Sequence, residues 1–298
     1  MNGEIVMTLT SETGVRPPAG AFRMTPARWV TLAIGVPVIL ALIGWTGFSV
    51  VSQSVRGSFT ISYVLPVQHG QLTASIESGD LNVRPGRSGT TAHLAGTVEY
   101  GLFRPRVTRT TTASSTAVDV HCAALNSGNC GLSATLDVPP LTSLTLSTGG
   151  GNLTVPGGAQ TVNLTSDGGD VAVSGIPGGT DVSSGGGNLT AGGLSGTLKF
   201  TTDGGDINGN DLTAPTINAG SGGGNVTLAF TRAPTYLDIT SDGGDVTVLL
   251  PHDGTAYNVS TTPDGGDNNV SVGTTGSQAA DQIIVGSGGG NIRVAYAN

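Results

Sequence analysis

Aromatic residues are scarce at 4% and charged residues at 11%, and only 12 lysines and arginines face 20 aspartates and glutamates. So few large side chains restrict any core to small β-formers. The net charge of −8 argues against a nucleic-acid partner, whose recognition begins from a basic surface. Four histidines, His69, His93, His121 and His252, are scattered along the chain. No Gly-x-Ser-x-Gly elbow, metal triad or phosphate loop accompanies them, so neither a catalytic residue nor a cofactor is expected. Cysteine is limited to Cys122 and Cys130.

Glycine, by contrast, occurs 49 times among 298 residues, and it is ordered. One short phrase recurs with similar flanks: Gly149-Gly150-Gly151-Asn152, Asp167-Gly168-Gly169-Asp170, Gly185-Gly186-Gly187-Asn188, Asp203-Gly204-Gly205-Asp206, Gly222-Gly223-Gly224-Asn225, Asp242-Gly243-Gly244-Asp245, Asp264-Gly265-Gly266-Asp267 and Gly288-Gly289-Gly290-Asn291. The spacing starts at 18 residues and widens to 24, a period that signals a solenoid. Apolar residues alternate on both sides, as in Leu144/Leu146 before the first corner and Leu153/Val155 after it, which is the pattern of half-buried strands. Across seven of the eight corners the apolar gap is seven residues, an odd number that would reverse the inward face of a straight strand. Glycines with positive φ are expected to absorb the odd residue. The prediction is an all-β, single-chain parallel β-solenoid with 18–24-residue coils, in which eight coils make a rod roughly 40 Å long.

Ahead of the repeats the composition changes twice. Residues 1–28 hold Pro17-Pro18 and Pro26 without apolar periodicity and read as a flexible cytoplasmic tail. Residues 29–51 begin a stretch without charge that continues to Val55, long enough for one transmembrane helix. Arg16, Arg23 and Arg28 precede it and Arg56 follows, so the positive-inside bias places everything after Arg56 outside the cell membrane. The apolar run is too long for a cleaved signal peptide, and Ser49-Val50-Val51 is a poor cleavage site. Residues 57–140 read as an irregular β cap, with an abbreviated corner at Ser78-Gly79-Asp80. Residues 141–298 form the solenoid, with thirteen aspartates against Lys199, Arg232 and Arg293.

Cys122 and Cys130 flank a turn outside the membrane and are expected to form a disulfide. The corner acids Asp167, Asp170, Asp203, Asp206, Asp242 and Asp245 would lie in one column, which suggests a calcium ladder of the β-roll kind. Against this, half of the corners lack the first acid, the nine-residue calcium repeat is absent, and Asp or Asn commonly bonds its own turn backbone. No metal site is therefore assigned. Triplets of Asn-x-Ser/Thr beginning at Asn152, Asn163, Asn188, Asn225, Asn258 and Asn269 follow from the polar-apolar alternation of Thr-rich strands.

From Phe59 onward the chain resembles a bacterial β-strand-repeat family of adhesin-type domains of unknown function, in its membrane-anchored, actinobacterial-like form. The resemblance rests on the Ser/Thr-x-Gly-[Gly]-Asp/Asn phrases, on Asp137-Val138-Pro139, and on Leu249-Leu250-Pro251 leading to Tyr257-Asn258-Val259. It implies a β-helical fold, a position outside the membrane and a cell-envelope role, and it supplies no catalytic residues. The expected function is a non-enzymatic surface protein with one membrane span, whose polar wall meets an envelope polymer or a surface protein. The alternatives are a polysaccharide-acting β-helix enzyme and a calcium-binding β-roll.

Overall fold

The computed structural model describes residues 38, 56–86, 88–101, 103–112, 116–122, 130–274 and 281–297. Contacts divide the chain into Met1–Val51 and Ser52–Asn298. The expected tail at 1–28 and span at 29–51 lie outside the described residues, Val38 excepted. Among the described residues no helix is long and apolar enough to cross a membrane.

Seven strands precede the regular repeats: β1 (Gly57–Pro66), β2 (Gln71–Ile76), β3 (Leu81–Pro85), β4 (Thr91–Tyr100), β5 (Arg106–Thr111), β6 (Thr116–His121) and β7 (Gly131–Val138). Each glycine corner then joins two strands: β8 (Leu141–Thr148) to β9 (Leu153–Val155), β10 (Ala159–Ser166) to β11 (Val171–Ser174), β12 (Thr180–Ser184) to β13 (Leu189–Gly192), and β14 (Thr197–Thr202) to β15 (Ile207–Leu212). The series continues with β16 (Thr216–Ser221) and β17 (Val226–Phe230), β18 (Tyr236–Ser241) and β19 (Val246–Leu250), β20 (Asn258–Pro263) and β21 (Asn268–Ser271), and β22 (Gln282–Ser287) and β23 (Ile292–Tyr296).

In every repeat coil the strand before the corner joins an 11-stranded sheet and the strand after it joins a 12-stranded sheet. Neighbouring coils pair in parallel and in register, so equivalent apolar residues stack. Leu146 pairs with Leu164, Leu164 with Val182 and Val182 with Phe200. On the other sheet Leu153 pairs with Val171, Val171 with Leu189 and Leu189 with Ile207. These side chains are buried between the sheets. Each coil would expose its apolar pair if alone, and stacking covers it.

The stacking order departs from the sequence order at both ends. Strand β22 lies between β18 and β20, and β23 lies between β19 and β21. The coil 282–296 is therefore inserted inside the coil 258–271, which forms the outer end. At the opposite end the coil made by β2 and β3 packs directly on β8 and β9, and the later pair β6 and β7 lies outside it. The two longest spacings, 22 and 24 residues, fall where the chain steps outward by one coil and returns.

The cap also departs from a purely parallel coil. Strand β4 pairs antiparallel with both β1 and β7, and β5 pairs antiparallel with β6. Cys122, which follows β6, and Cys130, which precedes β7, form the expected disulfide.

Candidate functional site: the corner ladder and the face beside it

The corners stack through three columns of residues, each with its own chemistry. The first is the glycine at the third position of every corner, called the third glycine below. A Cβ on Gly187 would stand 2.1 Å from the carbonyl oxygen of Gly169, and one on Gly169 would stand 2.1 Å from that of Gly151. The middle glycine is open, since a Cβ on Gly186 meets nothing within 4 Å. None of the corner glycines from Gly149 onward has positive φ. Glycine is thus required there for backbone approach, and the expectation of left-handed bends is corrected. The odd residue is absorbed elsewhere: Thr148 and Gly151 both point inward, while Gly149 and Gly150 between them do not.

The second column is a line of buried hydroxyls: Thr148, Ser166, Ser184, Thr202, Ser221, Ser241 and Ser287. Each accepts the backbone N–H of the third glycine of its own corner, for example Gly224 to Ser221 at 2.8 Å and Gly290 to Ser287 at 2.8 Å. Most donate in turn to the corner glycine of the preceding coil in space, as Ser221 does to Gly205 at 2.9 Å and Ser241 to Gly224 at 2.8 Å. Two buried backbone groups per corner are satisfied in this way. Sequence reasoning assigned these residues no role, although the signal was present: a hydroxyl stands three residues before the third glycine in seven of the eight repeats.

The third column contains the calcium candidates. The backbone N–H of each corner's last residue donates to Oδ1 of the corresponding residue in the preceding coil in space. Asn152 donates to Asp80 at 2.9 Å, Asp170 to Asn152 at 2.9 Å, Asn188 to Asp170 at 2.8 Å and Asp206 to Asn188 at 2.9 Å. The line continues from Asn225 to Asp206, Asp245 to Asn225, Asn291 to Asp245 and Asp267 to Asn291. Asp170, Asp206 and Asp245 thus spend Oδ1 on the neighbouring coil, where their own turn had been expected. Asp167, Asp203 and Asp242 occupy the first corner position and are exposed. Among the described residues no group of three or more His, Cys, Asp or Glu could hold a metal ion.

In space the ladder reads Asp80, Asn152, Asp170, Asn188, Asp206, Asn225, Asp245, Asn291, Asp267, with acid and amide alternating throughout. In sequence the alternation fails where Asp245 is followed by Asp267. The exchanged order of the last two coils restores it, so that ladder carboxylates stay two coils, about 9.6 Å, apart.

Beside the ladder, the outer face of the 12-stranded sheet carries one residue per coil in a single row, small or amide-bearing in every coil but that of Arg293. The row runs Asn82, Thr154, Ala172, Thr190, Asn208, Thr227, Thr247, Arg293 and Asn269, each paired with the next. A shallow groove of about 490 Å³ lies over its middle, lined by Thr154, Thr190, Asn208, Asn152 and Asn188 among others. A second of about 490 Å³ shares Asn152 and Thr154 and extends over Asn82 toward the cap. The arrangement offers amides and hydroxyls, interrupted at Ala172 and flanked by the ladder carboxylates Asp80, Asp170 and Asp206, without an aromatic platform in either groove.

At the cap, Glu77 occupies the first corner position of its coil. Its carboxylate accepts the Cys122 backbone N–H at 2.6 Å and lies 2.7 Å from His121 Nδ1. The His121 contact, followed by the Cys122 N–H, holds the Glu77 carboxyl below its ordinary pKa.

A model of the Toastrack DUF4097 family matches residues 125–295. Among solved structures, a provisionally named adhesin of Bacteroides fragilis is 16% identical with a TM-score of 0.48, covering 79% of this chain and 97% of that one. A second such adhesin, from Parabacteroides distasonis, is 12% identical with a TM-score of 0.47, covering 79% and 97%. A provisionally named cell adhesion protein of Clostridium sporogenes is 13% identical with a TM-score of 0.24, covering 80% and 100%. No curated protein is matched by this chain.

Proposed function

Since the chain belongs to the Toastrack DUF4097 family, we propose that it is a non-enzymatic cell-surface protein, held by one membrane span at 29–51, that presents its solenoid to an envelope polymer or a partner protein. The anchor reading is supported by the absence of charge from Trp29 to Val55 and by the arginines that precede it.

The observation that carries the binding role is the in-register row from Asn82 to Asn269. Nine coils at the inter-strand spacing make a hydrogen-bonding face about 38 Å long. A repeating face suits an extended ligand, because the same contact recurs at each step. No step of chemistry is assigned to it.

The test is capture from intact envelope with the full chain as bait. Thr190→Arg combined with Asn208→Arg on the row should abolish capture of the bound species, while Thr165→Arg on the opposite sheet should not. Equal capture by both variants would remove the face from consideration.

A further inference from the structure

We propose that the outermost layer of the cap, built on β1 and β5, docks on an anionic lipid surface; the proposal rests on the anchored reading above. Strands β1 and β5 are the edges of their two sheets at this end, and among the described residues no further strand pairs with them there. The layer is amphipathic. The Arg104 guanidinium lies over the Phe59 ring at 4.9 Å and near the Tyr100 ring at 5.8 Å, and its Nε donates to Tyr100 Oη at 3.4 Å. Beside it Phe103 is 47% exposed, and on β1 Val64 is 52% exposed. Arg106 is exposed on β5, and Arg109 ties that strand to β1 by donating to the Val64 carbonyl at 3.4 Å.

Charge and connectivity then select the occupant. Arg56, Arg104, Arg106 and Arg109 outnumber the neighbouring acids, Glu99 on β4 and Asp119 on β6, whereas residues 141–298 carry thirteen aspartates against three basic side chains. The cationic layer also includes the strand that follows the proposed span in sequence, β1. Four residues lie between Val51 and Arg56, so the two are five steps apart, at full extension at most about 18 Å. Arginines that keep their heads in the headgroup region while apolar neighbours approach the acyl boundary match the chemistry of an anionic leaflet. The acidic rod would be repelled from the same surface, which favours its projection outward.

The experiment uses the full chain in nanodiscs of phosphatidylcholine alone or mixed with phosphatidylglycerol, read by hydrogen exchange. Amides of β1 and β5 should exchange several-fold more slowly in the anionic discs. High salt, or Arg104→Gln with Arg106→Gln, should erase the difference, and unchanged exchange in β12–β16 reports that the variant is folded. Equal rates in the two lipids, whether fast or slow, overturn the proposal using wild-type protein alone. Resistance to alkaline carbonate extraction separates the two readings. A chain that resists extraction but shows equal rates loses only the docking face, and a chain released by carbonate loses the anchor and this proposal together.

Discussion

The backbone N–H of Asn291 donates to Oδ1 of Asp245 at 2.6 Å, although 46 residues separate the two. Asp267, nearer in sequence, lies one coil farther out and donates to Asn291 at 2.8 Å. Asn291 therefore stands between two carboxylates that would otherwise be neighbours. Asn291→Asp is expected to place three acids in succession, costing about 1 kcal/mol per neighbour at the dielectric of water. The loss should shrink as salt is added, whereas the loss from Asn291→Ala should not. Melting temperature measured across a salt series distinguishes the two variants.

Glycine tolerance should differ sharply within a single corner. Gly186→Ala meets nothing within 4 Å, while Gly187→Ala drives a Cβ to 2.1 Å from the Gly169 carbonyl oxygen. The first should change stability by less than about 1 kcal/mol. The second should cost more than about 4 kcal/mol or prevent folding, in the range reserved for overpacked and strained sites. Denaturant unfolding of both variants provides the comparison.

The hydroxyl column predicts a chemical rather than a volume requirement. Ser221→Ala orphans the Gly224 N–H and the Gly205 carbonyl, with an expected loss of about 1–3 kcal/mol. Ser221→Thr should be mild, because Thr148 and Thr202 occupy the same column. Thermal unfolding of the pair measures the difference.

Chelation should leave the fold intact. Asp170, Asp206 and Asp245 already hold backbone N–H groups through Oδ1. EDTA is expected to leave both circular dichroism and melting temperature unchanged, and a fall in either would restore the calcium ladder.

Acid should loosen the cap locally. The Glu77 carboxyl is held below its ordinary pKa by His121 and the Cys122 N–H. A lowered folded-state pKa means that the contribution is complete above the ordinary glutamate range and is lost as pH falls through the lowered value. Glu77→Gln should remove this acid-side dependence, seen as hydrogen exchange near Cys122 that no longer accelerates at low pH.

The sequence carried the repeat, the strands on either side of each corner and the disulfide in readable form, because apolar alternation and cysteine placement are local signals. It also held the clue to the exchanged coils, in the consecutive acidic corners at Asp242–Asp245 and Asp264–Asp267, but that clue has meaning only once the ladder bonds are known. The corner at Asp264 broke the apolar rule for a related reason. Its inward positions are Thr261 and Asn268, which pair with Val285 and Ile292 of the buried coil, and the Asn268 amide donates to the Thr261 hydroxyl at 2.7 Å. A polar pair there ends the core at an outer coil. The role of the third glycine was misjudged because positive φ is a property of one residue, whereas close approach depends on a coil 18 residues away.

Placing the coil 282–296 inside its predecessor also decides how the rod bears load. Tension applied at Tyr296 pulls on a strand hydrogen-bonded along both edges, to β19 and to β21. Peeling β23 must break two rows together, whereas the outermost strand of a simple stack is held along one edge alone.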